Sequence, residues 1–332
     1  MHLSFKPWFM KKITFLLITS ALVSSVFAYP IAPCPLRKLV IQSDLIVWAK
    51  VIKTGSTISS KENPDFRERD YALLVVNEIL QGNLTQDTLK VFFTARMICP
   101  EPGVFYENET ALAFLDKIKD GDGYWIHALS YGAKHGLSRQ GYEAYRSRIL
   151  EMKEILKLKD DTNRDEIIID WLVKCAEQSS TRWEGVYELS YSNSLSFYGY
   201  DEWAKKTIYL NACQLTRLFD ALMKVDTIKP ADMGLANLVK GVNDSLLLSF
   251  LKSKISLIND EGLWLAGDVM RRITKLTENK ELEAILKTFD EIRFDFTDKS
   301  RKERKTIFSQ FVLKMKDAAL KENILPSVRS AT

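Results

Sequence analysis

Few residues in this chain are of a type and spacing that could do chemistry. Beyond the first 28 residues it has two histidines, His127 and His135, and four cysteines, Cys34, Cys99, Cys175 and Cys213. A histidine general base needs a nucleophile and an orienting acid close by. No GxSxG, HExxH or active-site cysteine pattern supplies them. His127 alternates with Trp125 and Leu129 on an expected strand, and His135 stands in a glycine-flanked loop. The cysteines form no CxxC and have no histidine near them in sequence, so no zinc site is expected. Glu184 and Glu188 stand four apart on an expected helix. Paired carboxylates do acid/base work when burial separates their pKa values, but a solvated helix face is the commoner use of that spacing. Asp120-Gly121-Asp122-Gly123 resembles the opening of a calcium loop without its downstream ligands and reads as a turn. No catalytic residue, metal or cofactor is therefore assigned, and the chain is not expected to be an enzyme. One stretch has binding character: Arg182-Trp183-Glu184-Gly185-Val186-Tyr187-Glu188-Leu189, followed by Tyr191, Phe197, Tyr198, Tyr200 and Trp203. Aromatics among polar residues bind glycans or peptides, although packing a loop onto helices is their more frequent task.

The ends and the charge say where such a protein works. Lys6, Lys11 and Lys12 precede an apolar run from Ile13 to Val23, and Val26-Phe27-Ala28 puts small residues at −3 and −1. That pattern predicts a signal peptide over residues 1–28, cut between Ala28 and Tyr29, and a secreted or periplasmic product. The run is short for a membrane anchor, and Lys252 and Lys254 interrupt the next best segment, so no transmembrane span is expected after cleavage. Removing residues 1–28 from the 332 takes away three lysines and no acid, leaving 44 basic residues against 43 acidic. Such a balance gives no footprint for nucleic acid. The one basic cluster, Lys299 to Lys305, reads as a solvated helix face.

From Ser43 to Tyr131 the chain is patterned as β. Leu45–Ile52, Asp70–Leu80, Thr88–Thr94, Thr110–Leu115 and Gly123–Tyr131 are short apolar or alternating runs separated by turn residues, which indicates a small antiparallel barrel or sandwich. After Gly136 the period changes. Tyr142, Tyr145, Ile149, Met152 and Leu156 recur at helical spacing, and eight or nine helical segments follow, among them Asp201 to Val225 with Asp201 as its cap. They describe an α-domain of paired helices, with a HEAT-like repeat and an irregular bundle both open.

Four stretches of the β half, in order, resemble the inhibitory domain of the tissue inhibitors of metalloproteinases and the related netrin-type modules. They are Ser43 to Val51, Asn77 to Gly82, Leu89 to Ala95 with Cys99 after it, and Glu109 to Leu115 followed by Asp120 to Tyr124. The resemblance covers about a hundred residues and implies an OB-like five-stranded barrel. It also implies a disulfide between Cys34 and Cys99. Those inhibitors chelate zinc through the free amine of an N-terminal cysteine, and Cys34 stands at the corresponding place. Five residues, Tyr29 to Pro33, would still precede it after cleavage, so its nitrogen is an amide without a basic lone pair. The helical half resembles helical domains of uncharacterised exported bacterial proteins. Cys175 and Cys213 each lie in an apolar helix segment and are candidates for a second bridge, because export favours oxidation.

The expected organisation is thus a signal peptide (1–28), an OB-like barrel (34–136) and an α-helical domain (137–325), an α+β two-domain protein. The leading functional expectation is non-catalytic binding of a protein or an envelope component, with no nucleic-acid partner. A metallopeptidase inhibitor using the barrel is the alternative, and an enzyme with an unrecognised carboxylate site comes third.

Overall fold

The computed structural model describes residues 33–57, 69–95, 103–119, 122–129, 131–159, 163–190, 208–295 and 297–329. The expected signal peptide, its cleavage point at Ala28 and Tyr29, and Cys99 all lie outside the described residues. Two compact units emerge: Cys34 with Gln42–Gly136, and Pro35–Ile41 with the residues from Leu137 onward.

The first unit is a closed five-stranded barrel. Its strands are β1 (Leu45–Thr57), β2 (Arg69–Gln81), β3 (Thr88–Phe93), β4 (Thr110–Lys117) and β5 (Tyr124–Ile126), with a short β6 (Ala133–His135) added to β4. They pair in the order β1-β2-β3-β5-β4, and β4 closes back on β1. This is an OB-like order. The β3–β5 pair is parallel and the others are antiparallel. The all-antiparallel expectation is corrected here for a simple reason. Direction must alternate at every antiparallel neighbour, and a ring with an odd number of members cannot alternate all the way round.

Alternation along the strands sets the inner face. Leu45, Val47, Ala49 and Val51 of β1 point inward with Ala72, Leu74, Leu89, Val91, Phe93, Ala111, Ala113, Leu115 and Ile126. Small alanines beside large aliphatics fill the narrow interior, and three register irregularities along β1 let that strand curl around it. β1 runs five residues past the expected end at Ile52. β5 is shorter than its sequence run, because Ala128 and Leu129 turn into the left-handed region at φ 51° and 50°. His127 therefore follows a strand end rather than lying mid-strand, and His135 closes β6 instead of sitting in a loop.

The second unit holds ten helices among the described residues. α1 (Leu36–Gln42) belongs to it except for its last residue. The others are α2 (Arg139–Lys157), α3 (Arg164–Glu177), α4 (Arg182–Leu189), α5 (Ala212–Met223), α6 (Pro230–Leu238), α7 (Asp244–Ile255), α8 (Leu263–Thr277), α9 (Lys280–Ile292) and α10 (Asp298–Arg329). Tyr142, Tyr145, Ile149 and Met152 lie in the buried stripe of α2, as their spacing predicts, but its last buried position is Ile155 and not the expected Leu156, which is only half-buried. α5 starts at Ala212, where Asn211 and Gln214 form a reciprocal capping box. The expected start and cap at Asp201 lie outside the described residues. Among those described, no helix is long and apolar enough to cross a membrane.

Candidate functional site

The barrel's outer face carries a continuous strip of side chains fixed by strand register. Gly55 on β1 faces Tyr71 on β2, Tyr71 faces Phe92 on β3, Phe92 faces Trp125 on β5, and Trp125 faces Asp116 on β4. Each ring is one residue out of step with an inward core residue, namely Ala72, Val91 and Ile126, so period-two alternation turns all three outward. Gly55 makes room at one end: a Cβ there would lie 2.7 Å from the Tyr71 ring, so the tyrosine covers the strand where glycine leaves it bare. The Phe92 and Trp125 rings stand 5.6 Å apart, tilted by 46°. The Lys90 ammonium lies 4.8 Å from the Tyr71 ring centroid and 4.9 Å from that of Phe92, in cation–π range of both. Tyr71 and Trp125 are half-buried, while Phe92 between them is nearly covered.

Polar groups close the strip at its β4 end. His127 lies two residues past Trp125 on the same outer face, diagonal to Asp116. Its Nδ1 is 2.9 Å from each carboxylate oxygen of Asp116. Its Nε2 is 3.3 Å from the Oε1 of Gln42, an oxygen that also accepts from the Cys34 thiol at 3.8 Å. Asp116 thus supplies the orienting acid that the sequence did not reveal beside His127. The histidine side chain is 15% exposed and the aspartate 40%, so the pair is anchored yet open on one side. Left-handed backbone at Ala128 and Leu129, unfavourable for residues with a Cβ, directly follows.

The second unit contains the carboxylate pair singled out from sequence, and its setting overturns the solvated reading. Glu184 and Glu188 are 2% and 3% exposed. Glu184 accepts from the Leu36 backbone N–H at 2.8 Å and from the Tyr145 hydroxyl at 3.0 Å. Arg37 donates to Glu188 through Nε at 2.9 Å and Nη2 at 2.7 Å. Both carboxylates hold α1 in place, a structural task. They can approach because α4 crosses α3 at Gly185, where a Cβ would meet the Leu172 carbonyl oxygen at 2.2 Å. Burial, and then the Glu184 charge, push the Tyr145 phenol well above its ordinary range. Of the aromatic stretch around α4, Trp183 and Tyr187 stack at 5.2 Å, while Tyr191 to Trp203 lie outside the described residues.

A cleft of about 860 Å³ opens beside α4, between the end of α3 and the α5–α6 connection. Its arginines are already engaged. Arg182 pairs with Asp232 and donates to the carbonyls of Ala176 and Glu177. Arg217 forms a two-pronged contact with Glu177 at 2.7 and 2.8 Å and reaches Asp170 at 2.7 Å. Four of the charges that line the cleft, on Glu177, Arg182, Arg217 and Asp232, are thus engaged with partners within the unit.

The second bridge considered from sequence is not made. Cys175 is a fully buried free thiol on α3, and Cys213 is an exposed free thiol in the first turn of α5. One faces the helical core and the other faces solvent. No group of three or more metal-ligating side chains occurs among the described residues. Compared with protein-family models, with curated proteins and with solved structures, the chain matches none.

Proposed function

We propose that this is an exported, non-catalytic binding protein that engages a component of the cell envelope or extracellular space through the outer face of its barrel. The strip Tyr71-Phe92-Trp125 with Lys90 and Asp116 carries this reading. Aromatic rings on rigid neighbouring strands, with polar groups at the edge, make a preorganised recognition surface at low entropic cost. In the helical unit, Glu184, Glu188, Arg182 and Arg217 are spent on its own packing. That unit is read as a scaffold.

Capture from an envelope fraction on immobilised mature protein tests the reading against the Tyr71→Ala/Trp125→Ala double variant. A partner retained by the wild type and lost by a folded double variant supports it. Equal retention by both would place binding elsewhere. Export is tested separately by sequencing the N-terminus of the secreted or periplasmic product, with Tyr29 expected first.

A further inference from the structure

Resting on that reading, we propose that the barrel strip binds an oligosaccharide, with a pyranose ring lying on Trp125, its neighbour reaching the Lys90-capped edge of Tyr71, and their hydroxyls meeting Asp116, His127 and Gln42. Neighbouring strands are about 4.8 Å apart, so the register row sets three rings side by side, with Phe92 and Trp125 5.6 Å apart. Flat, partly exposed rings cover the CH face of a sugar without demanding any particular hydrogen-bond pattern. The polar end then selects the class. Asp116 is acceptor-only, and Gln42 turns its carbonyl oxygen toward His127. Both oxygens of Asp116 contact a single ring nitrogen, and a carboxylate has about four lone-pair sites, so it has capacity for further donors. An acceptor-rich edge calls for a donor-rich ligand, and a sugar's hydroxyl rim is one.

The other two ligand classes fit less well. A nucleic-acid strand wants cations along its backbone. Here Lys90 lies over two rings and a carboxylate ends the row. A proline-rich peptide presents carbonyl acceptors and few donors, which Asp116 cannot satisfy.

The test uses the whole mature chain on an array of neutral, N-acetylated and uronate-containing oligosaccharides, with a 20-nucleotide oligo-dT and a proline-rich peptide as parallel probes. At least one oligosaccharide should bind. Its affinity by calorimetry should fall roughly tenfold or more in Tyr71→Ala, Trp125→Ala and Asp116→Asn, and Trp125→Phe should keep most of it. Melting curves check folding, and Tyr71→Ala with Trp125→Phe carries the comparison if Trp125→Ala does not fold. Binding of no oligosaccharide overturns the proposal. If the oligo-dT or the peptide binds instead and the aromatic variants lose it, the glycan class falls while the binding face stands. If envelope capture and every probe are indifferent to these variants, both fall.

Discussion

Replacing Arg37 by alanine tests whether the α1 clamp is a buried ion pair in energetic as well as geometric terms. The side chains of Arg37 and Glu188 are 9% and 3% exposed, and two donors of the guanidinium reach one carboxylate oxygen. An exposed pair would contribute 1 kcal/mol or less, at about the usual surface value. Removing one partner of a buried pair costs about 3–5 kcal/mol, because the remaining charge stays desolvated without its counter-charge. Arg37→Ala should therefore lower the unfolding free energy of the helical unit by about 3–5 kcal/mol. Replacing both residues with apolar ones, Arg37→Met with Glu188→Leu, should recover most of that, since no charge then remains to be buried. The assay is urea denaturation followed by far-ultraviolet dichroism and by tryptophan fluorescence, with wild type, Arg37→Met, Glu188→Leu and the double variant forming a double-mutant cycle beside Arg37→Ala. A loss under 1 kcal/mol for Arg37→Ala, at about the exposed-pair value, would refute the argument. So would a double variant no better than the single one.

Three further outcomes follow from burial. Burial pushes the Cys175 thiol well above its ordinary range, so at pH 8 iodoacetamide should label exposed Cys213 on the folded protein and reach Cys175 only on unfolding; rapid native labelling of Cys175, read by peptide mass, would contradict this. The raised folded-state pKa of Tyr145 means that the unfolded chain releases this proton first. Its contribution is complete below about pH 10 and is lost as pH rises beyond, so a melting series from pH 8 to 11.5 should fall more steeply for the wild type than for Tyr145→Phe. Gly185→Ala would place a methyl group 2.2 Å from the Leu172 carbonyl oxygen and 2.5 Å from the Ala176 nitrogen. Prying α4 from α3 should cost about 3 kcal/mol, measured by urea denaturation.

What the sequence made legible was what repeats locally. The partly alternating run TLKVFFT marked β3, the continuous apolar run TALAFL marked β4, and three-four spacing in α2 marked its buried stripe. The strip on the barrel is assembled from β2, β3, β5 and β4 by register, and register between distant strands leaves no trace in a single sequence. Tyr71 and Trp125 are 54 positions apart in the chain and two strands apart in the barrel. Asp116 directly follows the Thr110–Leu115 run, and nothing local marked it as His127's partner. Glu184 and Glu188 misled for the opposite reason. Their i,i+4 spacing is that of a solvated face, and only the return of the N-terminal segment buries them.

That return changes what the two-domain division means. A boundary at Gly136 is where the period changes, and the helical unit does take up the chain again from Leu137. Yet Pro35–Ile41 also belongs to the helical unit, while Cys34 on one side and Gln42 on the other belong to the barrel. Cleaving the chain at the period change would take the Leu36 N–H from Glu184 and the Arg37 guanidinium from Glu188, removing a donor from each of two buried carboxylates. It would also leave the barrel with an amphipathic segment whose buried residues, Leu36, Leu39 and Val40, have no core to enter. The same short helix ends at Gln42, whose amide oxygen meets His127. The chain order of the two units is therefore not a simple first-half and second-half division, because the segment Pro35–Ile41 is counted with the helices although it precedes every strand.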